Sequence, residues 1–215
     1  MKRSLILIFS LFLSIAVIGT SVRLAVGFKG IYHYDIDYLN IEEISGIERN
    51  ALIENYDYLI DYNLKRTVGE FKLPSLPSSH NGRIHFEEVR AIIQRLQKVL
   101  YICVVVSAVG AIYLIRKSEL VFLKLSAVIT LVLPVSLAIP IAIDFEHSFK
   151  IFHKLMFDND YWIFNPATDP VIDMLPEAYF MHEAVFIGVI IVAMSIILLA
   201  IWKKFGEKKH IPPSI

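Results

Sequence analysis

The sequence predicts an all-α membrane protein in which four transmembrane helices carry two extracellular segments folded over the outer mouth of the bundle. Two observations support this fold class. The 215-residue chain is 56% hydrophobic, and its apolar residues cluster in four runs that contain no charged side chain. Each run approaches the roughly 20 residues that a helix needs to cross a bilayer core, whereas helices buried in soluble domains are usually shorter.

The four charge-free runs place the spans along the chain. With their flanking residues they predict membrane helices at about 4–26, 97–115, 120–144 and 183–203, within a single domain covering residues 1–215. The first run follows Lys2 and Arg3, as in a signal peptide, but no small-residue cleavage site follows it, so a retained span is expected. The runs themselves are Ser4–Val22, Val99–Ile115, Leu125–Ile143 and Ala184–Trp202.

The distribution of charge predicts the orientation of the chain. The formal net charge is zero, but basic residues gather at the N-terminus, around Arg116 and Lys117, and in the tail KKFGEKKHIPPSI. Most acidic residues lie in the segments at about 28–96 and 146–182. The positive-inside rule therefore predicts a plasma-membrane protein with both termini in the cytoplasm and these two segments outside. The tail is expected to be a basic anchor with a disordered end, and no nucleic-acid partner is expected.

The two outer segments are predicted to form helices and a covering loop. The stretch Ile47–Leu64 has apolar residues near helical spacing and acidic residues on its other face, which indicates an amphipathic helix. RIHFEEVRAIIQRLQKV predicts a helix that runs into the second span. HSFKIFHKLMF has an apolar helical stripe, and the following prolines, Pro166, Pro170 and Pro176, predict mostly irregular backbone. Such backbone near a membrane must be buried or hydrated, so we expect it to close a pocket with the first segment.

Two of the seven histidines stand out because polar residues surround them near the predicted outer interface. His85 and Glu88 are three residues apart and share a helical face, where a carboxylate can fix the tautomer of an imidazole. His153 lies in FHKLMFDNDYW, together with Asn159 and Trp162. These residues bring titratable and polar groups close to lipid, which indicates a site for chemistry or for a ligand.

Each of these signals also has an ordinary structural explanation. A tryptophan such as Trp162 is typical of a membrane-interface anchor, and Asp169 before Pro170 is typical of a turn. Most histidines outside a known motif are structural or exposed, and polar surface is the prediction for the remaining five: His33, His80, His147, His182 and His210.

The residues alone leave three function classes open: an enzyme acting on lipid, a metal-dependent membrane hydrolase and a non-enzymatic lipid-binding protein. The sequence contains no P-loop, GxSxG, HExxH or CxxC motif, and the single cysteine, Cys103, excludes a disulfide within the chain. A catalytic zinc ion takes three protein ligands, and no tight ligand spacing is present, so no metal ligand is predicted. A transporter is disfavoured because the spans carry almost no charge.

Two stretches carry a resemblance to a known family. HFEEVR before the second span and FHKLMFDNDYWIFNPATDPVIDMLPEAYF before the last span resemble the lipoprotein intramolecular transacylases, or Lit proteins, of low-GC Gram-positive bacteria. The resemblance implies that the substrate is a diacylated lipoprotein and that the sn-2 acyl chain of its S-diacylglyceryl cysteine moves to the α-amino group of the same cysteine. It also implies that His85 and His153 form the catalytic pair and that no cofactor is needed.

The chemistry of this reaction suggests a role for each residue. An imidazole with a pKa near 6.5 can accept the amine proton and then protonate the glyceryl oxygen. We assign that role to His85, with His153 as its partner or oxyanion donor. Glu88 is expected to orient His85, while Asn159, Trp162 and Asp169 are expected to shape or cap the pocket.

Overall fold

The computed structural model describes residues 2–65 and 69–206. The end of the basic tail, including Lys208, Lys209 and His210, lies outside the described residues. All regular structure within the described ranges is α-helical, which confirms the predicted fold class. The helices are α1 Lys2–Gly27, α2 Gly30–Tyr38, α3 Ile41–Ser45, α4 Arg49–Leu64, α5 His80–Arg116, α6 Val121–Ile143, α7 Phe145–Met156, α8 Val171–Met174 and α9 Glu177–Gly206.

Four of these helices, α1, α5, α6 and α9, are long and apolar enough to cross a membrane. They contain the four charge-free runs, so the predicted spans are confirmed. Helix α5 has 37 residues and is far longer than a bilayer core requires, because the predicted helix before the second span is continuous with it. His85 therefore lies on the polar first part of α5, before the apolar stretch that begins at Val99.

The chain forms two compact units. The first comprises Met1–Arg23, Gln97–Ile139 and Phe186–Ile215, and the second comprises Leu24–Leu96 and Pro140–Val185. The four long helices α1, α5, α6 and α9 each contribute to both units. The prediction of a single domain over residues 1–215 stays a prediction.

The first unit packs its helices through small polar residues. The Ser10 hydroxyl donates to the Phe122 carbonyl at 3.2 Å, and the Ser14 hydroxyl donates to the Ser126 carbonyl at 3.0 Å. Ala127 beside them is fully buried. Small residues allow helix backbones to approach closely in lipid, where hydrophobic burial gives no net attraction between helices. Valine and isoleucine side chains cover much of the exposed surface of this unit, as contact with lipid requires.

The second unit is built around an aromatic core. The Tyr32 and Tyr56 rings stack at 3.9 Å, and the Tyr179 ring meets both rings edge-on. The Tyr56 and Tyr179 hydroxyls share a hydrogen bond of 2.8 Å, and the Tyr32 hydroxyl donates to the Met174 carbonyl. These bonds satisfy the polar ends of rings that are otherwise buried. Helix α4, Arg49–Leu64, confirms the amphipathic helix predicted at Ile47–Leu64, because its buried face includes Leu52, Tyr56, Leu59 and Ile60.

Helix α7 and the segment after it supply one side of the candidate site. The Asp144 carboxylate caps α7 by accepting from the His147 backbone N–H at 2.9 Å. The chain leaves the helix at Phe157 in an extended conformation. It then stays irregular until the single turn of α8, as the prolines of this segment predict.

Candidate active site

His85 lies in the second turn of α5 and is almost fully buried, with 5% of its surface exposed. The first turn is anchored at Ser79, whose hydroxyl accepts from the Gly82 backbone N–H at 3.0 Å and whose own backbone N–H donates to the Asp169 carboxylate at 2.7 Å. Phe157 and Phe164 lie 4.8 and 5.4 Å from the imidazole, measured between ring centroids. His85 is therefore fixed on a rigid element inside an aromatic pocket.

His153 lies in the last turn of α7 and is half-buried. Its Nδ1 atom is 2.8 Å from the Phe149 carbonyl oxygen, one turn earlier in the helix. A carbonyl only accepts hydrogen bonds, so Nδ1 carries the proton and the neutral ring keeps its lone pair on Nε2. The Phe149 and Trp162 rings flank the imidazole at 4.1 and 4.8 Å.

The structure brings the two predicted histidines together. Their ring centroids are 6.1 Å apart and their planes are inclined at 31°. The Phe157 ring lies against both of them. No hydrogen bond joins the two imidazoles in the described part of the chain, so a reacting group can lie between them. We call this arrangement the histidine site: His85, His153 and the surrounding rings of Phe149, Phe157, Trp162 and Phe164.

The Glu88 carboxylate binds a different partner from the one the sequence suggested. Asn159 donates to it with its side-chain amide, at 3.0 and 3.2 Å from the two carboxylate oxygens. The Asn159 carbonyl oxygen accepts in turn from the Tyr161 backbone N–H. No hydrogen bond joins Glu88 to His85 among the described residues, and the expectation that Glu88 orients His85 stays a prediction. Glu88 and Asn159 tie the segment after α7 to α5.

Asp169 and Trp162 have distinct positions. Asp169 is buried, and its two carboxylate oxygens accept from the Ser79 backbone N–H and the Thr168 hydroxyl. It therefore clamps the start of α5 to the segment before α8. The Trp162 indole packs on His153, and its buried N–H has no acceptor among the described residues. Trp162 is thus part of the histidine site, whereas Asp169 supports the site through helix α5.

Burial lowers the pKa of both histidines. For His85, burial and the nearby charge of His153 lower the pKa to about 4. For His153, burial lowers the pKa, and the hydrogen bond to Phe149 partly opposes this effect. Both imidazoles are therefore neutral near pH 7.

Acidification is expected to destabilise the protein through His85. The ordinary pKa is 6.5 and the pKa in the fold is about 4, so between these pH values the unfolded chain binds a proton that the folded chain does not. The free energy of unfolding therefore falls as the pH drops from about 6.5 to about 4, by on the order of 3 kcal/mol from this residue. The difference in thermal unfolding between the unaltered protein and His85→Gln, each in detergent at pH 7 and pH 4.5, measures this effect.

The variant His85→Gln should lose the His85 contribution, so between pH 7 and pH 4.5 its stability should change in the favourable direction relative to the unaltered protein. The exposed histidine His147 on α7 supplies the matched control, because His147→Gln is expected to keep the wild-type response. An unchanged pH response in His85→Gln would contradict this account.

Sequence reasoning found the apolar stripe of α7 that contains Phe149, but it missed the packing of aromatic rings around the two histidines and one histidine contact. Phe149, His153 and Phe157 are spaced four residues apart, so the helical period was the available signal for that packing. Phe164 reaches the site from an irregular segment and had no such signal. His182, predicted as polar surface, has its Nδ1 atom 2.8 Å from the buried Asp35 carboxylate. This pair stabilises the second unit and is not part of the histidine site.

The described residues do not include a metal-binding cluster. In residues 2–65 and 69–206, no three His, Cys, Asp or Glu side chains come together in a way that could hold one ion. The metal-dependent hydrolase considered above therefore has no ligand set to support it in that part of the chain.

Comparison with known proteins identifies the family. A family model described as lipoprotein intramolecular transacylase Lit matches residues 7–180. The solved structure of the Bacillus cereus transacylase Lit is 38% identical with a TM-score of 0.94, and the match covers 98% of each chain. Two further structures of that protein, described as carrying the mutations H85R and H85A in its own numbering, match at 38% identity with TM-scores of 0.90. These matches cover 98% of this chain, and 94% and 96% of those chains. No curated protein sequence gave a match. The chain belongs to the lipoprotein intramolecular transacylase (Lit) family.

Proposed function

We propose that this integral membrane protein is a lipoprotein intramolecular transacylase. It moves the sn-2 acyl chain of an S-diacylglyceryl cysteine to the α-amino group of the same cysteine and so produces an N-acylated lyso-form lipoprotein. Family membership supports this activity, and the pairing of His85 with His153 in one aromatic pocket is the observation that carries it. Donor and acceptor lie in one molecule, so the reaction requires no second acyl donor.

The reaction defines the substrate, and the distribution of charge indicates the position in the membrane. The substrate is a diacylated lipoprotein whose acyl chains remain in the bilayer. We place the histidine site at the extracellular face of the plasma membrane and both termini in the cytoplasm, because the basic residues of the chain lie near the termini and around Arg116. On this arrangement the ester and the amine reach the histidines without either acyl chain leaving the lipid.

His153 is the proton acceptor in this proposal. Its Nδ1–H is held by the Phe149 carbonyl, so the lone pair on Nε2 faces the reaction. A substrate α-amine has a pKa of about 8, and a fraction of it is neutral at pH 7. As the amine attacks the ester carbonyl, its nitrogen becomes acidic and His153 Nε2 takes the proton. This reverses the assignment suggested by the sequence, in which His85 was the base.

His85 serves as a neutral hydrogen-bond donor. Its Nδ1 atom is enclosed by protein and has no partner in the described chain. A buried acceptor without a partner is tolerated better than a buried donor without one, so we place the proton on Nε2. The low pKa keeps this ring neutral, even when His153 is protonated. The Nε2–H then stabilises the oxyanion that forms at the ester carbonyl.

The atoms balance in two steps. First, a C–N bond forms between the amine and the carbonyl carbon, and the proton leaves the nitrogen for His153. Second, the C–O bond to the glyceryl oxygen breaks, and protonated His153 returns the proton to that oxygen. The products are an amide and a free hydroxyl, and the enzyme is unchanged. Because both reactants are held in one site, positioning contributes much of the rate.

The supporting residues act by holding the histidines in place. The hydrogen bonds between Glu88 and Asn159 fix the segment that carries Trp162. The Trp162 indole covers part of the His153 ring and limits the access of water to it, which reduces competition between water and the amine for the ester. Asp169 fixes the start of α5 and therefore the position of His85.

Removing the indole is expected to change the acidity of His153. Trp162→Ala exposes the ring, and because burial lowers the pKa of His153, that pKa should rise toward its ordinary value. Trp162→Phe keeps an aromatic cover and removes only a buried N–H without an acceptor, so we expect a pKa close to that of the unaltered protein. NMR titration of carbon-13-labelled histidine in detergent measures both. Equal pKa values in the two variants would show that the indole does not cover His153.

Purified protein and a synthetic diacylglyceryl-cysteine peptide test the proposed function. With an isotope label in the sn-2 chain only, the label should move to the N-terminal amide while the total mass stays constant. A mixture of labelled and unlabelled peptides should give no exchange of acyl chains between molecules. Release of free fatty acid instead of an amide would indicate a hydrolase and would contradict the proposal.

A further inference from the structure

The second unit contains a cavity outside the histidine site. A cavity of about 360 Å³ lies between the start of α5 and the irregular segment before α8. We call it the α5 cavity. Its volume is in the range typical of ligand sites. The residues that line it include Ser79, His80, Asn81, Asp160, Phe164 and Asp169.

Both polar and apolar side chains line the α5 cavity, and some of the polar groups are held in place. The Asp169 carboxylate is held by the Ser79 backbone N–H and the Thr168 hydroxyl, both at 2.7 Å. In contrast, the side chains of His80, Asn81 and Asp160 form no hydrogen bond or ion pair within the described ranges 2–65 and 69–206, which leaves their donors and acceptors available. An acyl chain would strip water from these groups without replacing their hydrogen bonds. The cavity therefore suits a polar ligand.

The α5 cavity adjoins the histidine site. Phe164 lines the cavity, and its ring also lies 5.4 Å from the His85 imidazole. Along α5 the order is His80 and Asn81, then His85, then the apolar stretch from Val99. His80 precedes His85 by about 7.5 Å of helix rise. The cavity thus begins within a short distance of the reacting groups, on the side of His85 away from the apolar part of the helix.

We propose that the α5 cavity binds the polypeptide of the lipoprotein substrate, at the second and third residues after the acylated cysteine. This inference rests on the proposed function. The amine that reacts at the histidine site is attached to the same Cα as the start of that polypeptide, and an extended chain advances about 3.5 Å per residue. Two residues therefore cover the distance from His85 to the cavity. Backbone amides and polar side chains of the substrate match the hydrogen-bonding groups of Asn81, His80 and Asp160.

Two substrates distinguish peptide binding in the α5 cavity from catalysis at the histidine site. One is a diacylglyceryl-cysteine amide with no further residue, and the other carries a five-residue peptide after the cysteine. We expect the unaltered enzyme to prefer the longer substrate about tenfold in kcat/KM, because one or two additional hydrogen bonds provide an effect of that size. Asn81→Trp, which fills the cavity from an exposed position, should bring this ratio close to one.

The matched control is Glu43→Trp, an exposed position on α3 that should keep the tenfold ratio. An unaltered enzyme with a ratio of one, or Asn81→Trp with an unchanged ratio, would overturn the peptide subsite while leaving the transacylase proposal intact. Turnover of neither substrate by the unaltered enzyme would overturn both proposals.

A covalent probe tests the same contact without relying on a change in activity. A photoreactive benzoylphenylalanine in place of Asn81 should crosslink to the peptide part of the longer substrate, and mass spectrometry locates the bond. The same probe in place of Glu43 should give no crosslink. Absence of a crosslink at position 81, with the substrate still bound or turned over, would contradict the inference.

Discussion

Replacing His153 with alanine is expected to lower turnover about 10³-fold, because a general base contributes roughly 10² to 10⁴ to a rate. The Phe149 carbonyl fixes the Nδ1 proton of this residue, so Nε2 is the nitrogen that accepts and returns the substrate proton. His153→Gln should be as impaired as His153→Ala, since a neutral amide nitrogen does not accept a proton. Turnover of the sn-2-labelled peptide by purified protein provides the measurement.

His147 on α7 supplies the matched control for this loss. It is exposed and lies six residues before His153 on the same helix. His147→Ala should keep full activity and should unfold at the same temperature as the unaltered protein. If His153→Ala were to keep turnover within about tenfold, the base would have to be another group and the proposed proton path would fail.

Replacing His85 is expected to give a different pattern, which separates the two histidine roles. His85→Ala removes the hydrogen bond to the oxyanion, and loss of one such donor lowers kcat about 10² to 10³-fold. His85→Gln places an amide N–H close to the position of Nε2–H and should retain activity to within about tenfold. This rescue by glutamine is predicted for His85 and not for His153.

The measurement is kcat for the four variants on one substrate. If glutamine failed to rescue His85 but rescued His153, the roles would be exchanged, as the sequence first suggested. If glutamine rescued neither, both rings would be required for proton transfer, and the assignment of His85 as a neutral donor would fail.

The spans and α4 were predictable because their signals are local. A charge-free run of membrane length and an apolar stripe at helical spacing depend only on neighbouring residues, and both appear in the structure. The helix preceding the second span was also predictable, because the same period continues from His85 into the apolar stretch.

The site was harder to predict because its geometry depends on contacts distant in sequence. The spacing of His85 and Glu88 allows a hydrogen bond between them, but the partner that the structure gives Glu88 is Asn159, 71 residues away in the sequence. Nothing local in the sequence indicated this partner. The pairing of His85 with His153 was anticipated through the family resemblance, whereas composition and periodicity placed each histidine only in its own outer segment.

The tautomers were not predictable from sequence either. A histidine four residues after Phe149 can donate to its carbonyl only if α7 holds the ring in that direction, which the structure shows. The two rings also differ in burial, because His85 is enclosed by α5 and its aromatic neighbours while His153 is half-exposed. The proposed division of roles between base and donor therefore rests on the three-dimensional structure.

Mass spectrometry of the N-terminal lipopeptide of a model lipoprotein shows whether this protein transfers the acyl chain. The measurement is made in cells that lack any N-acylating enzyme and that produce this protein unaltered, as His85→Ala or as His153→Ala. We expect the unaltered protein to move one acyl chain from glycerol to the amine at constant mass, and we expect both variants to leave the diacylglyceryl form. An unmodified diacylglyceryl peptide in cells with the unaltered protein would contradict the proposed function.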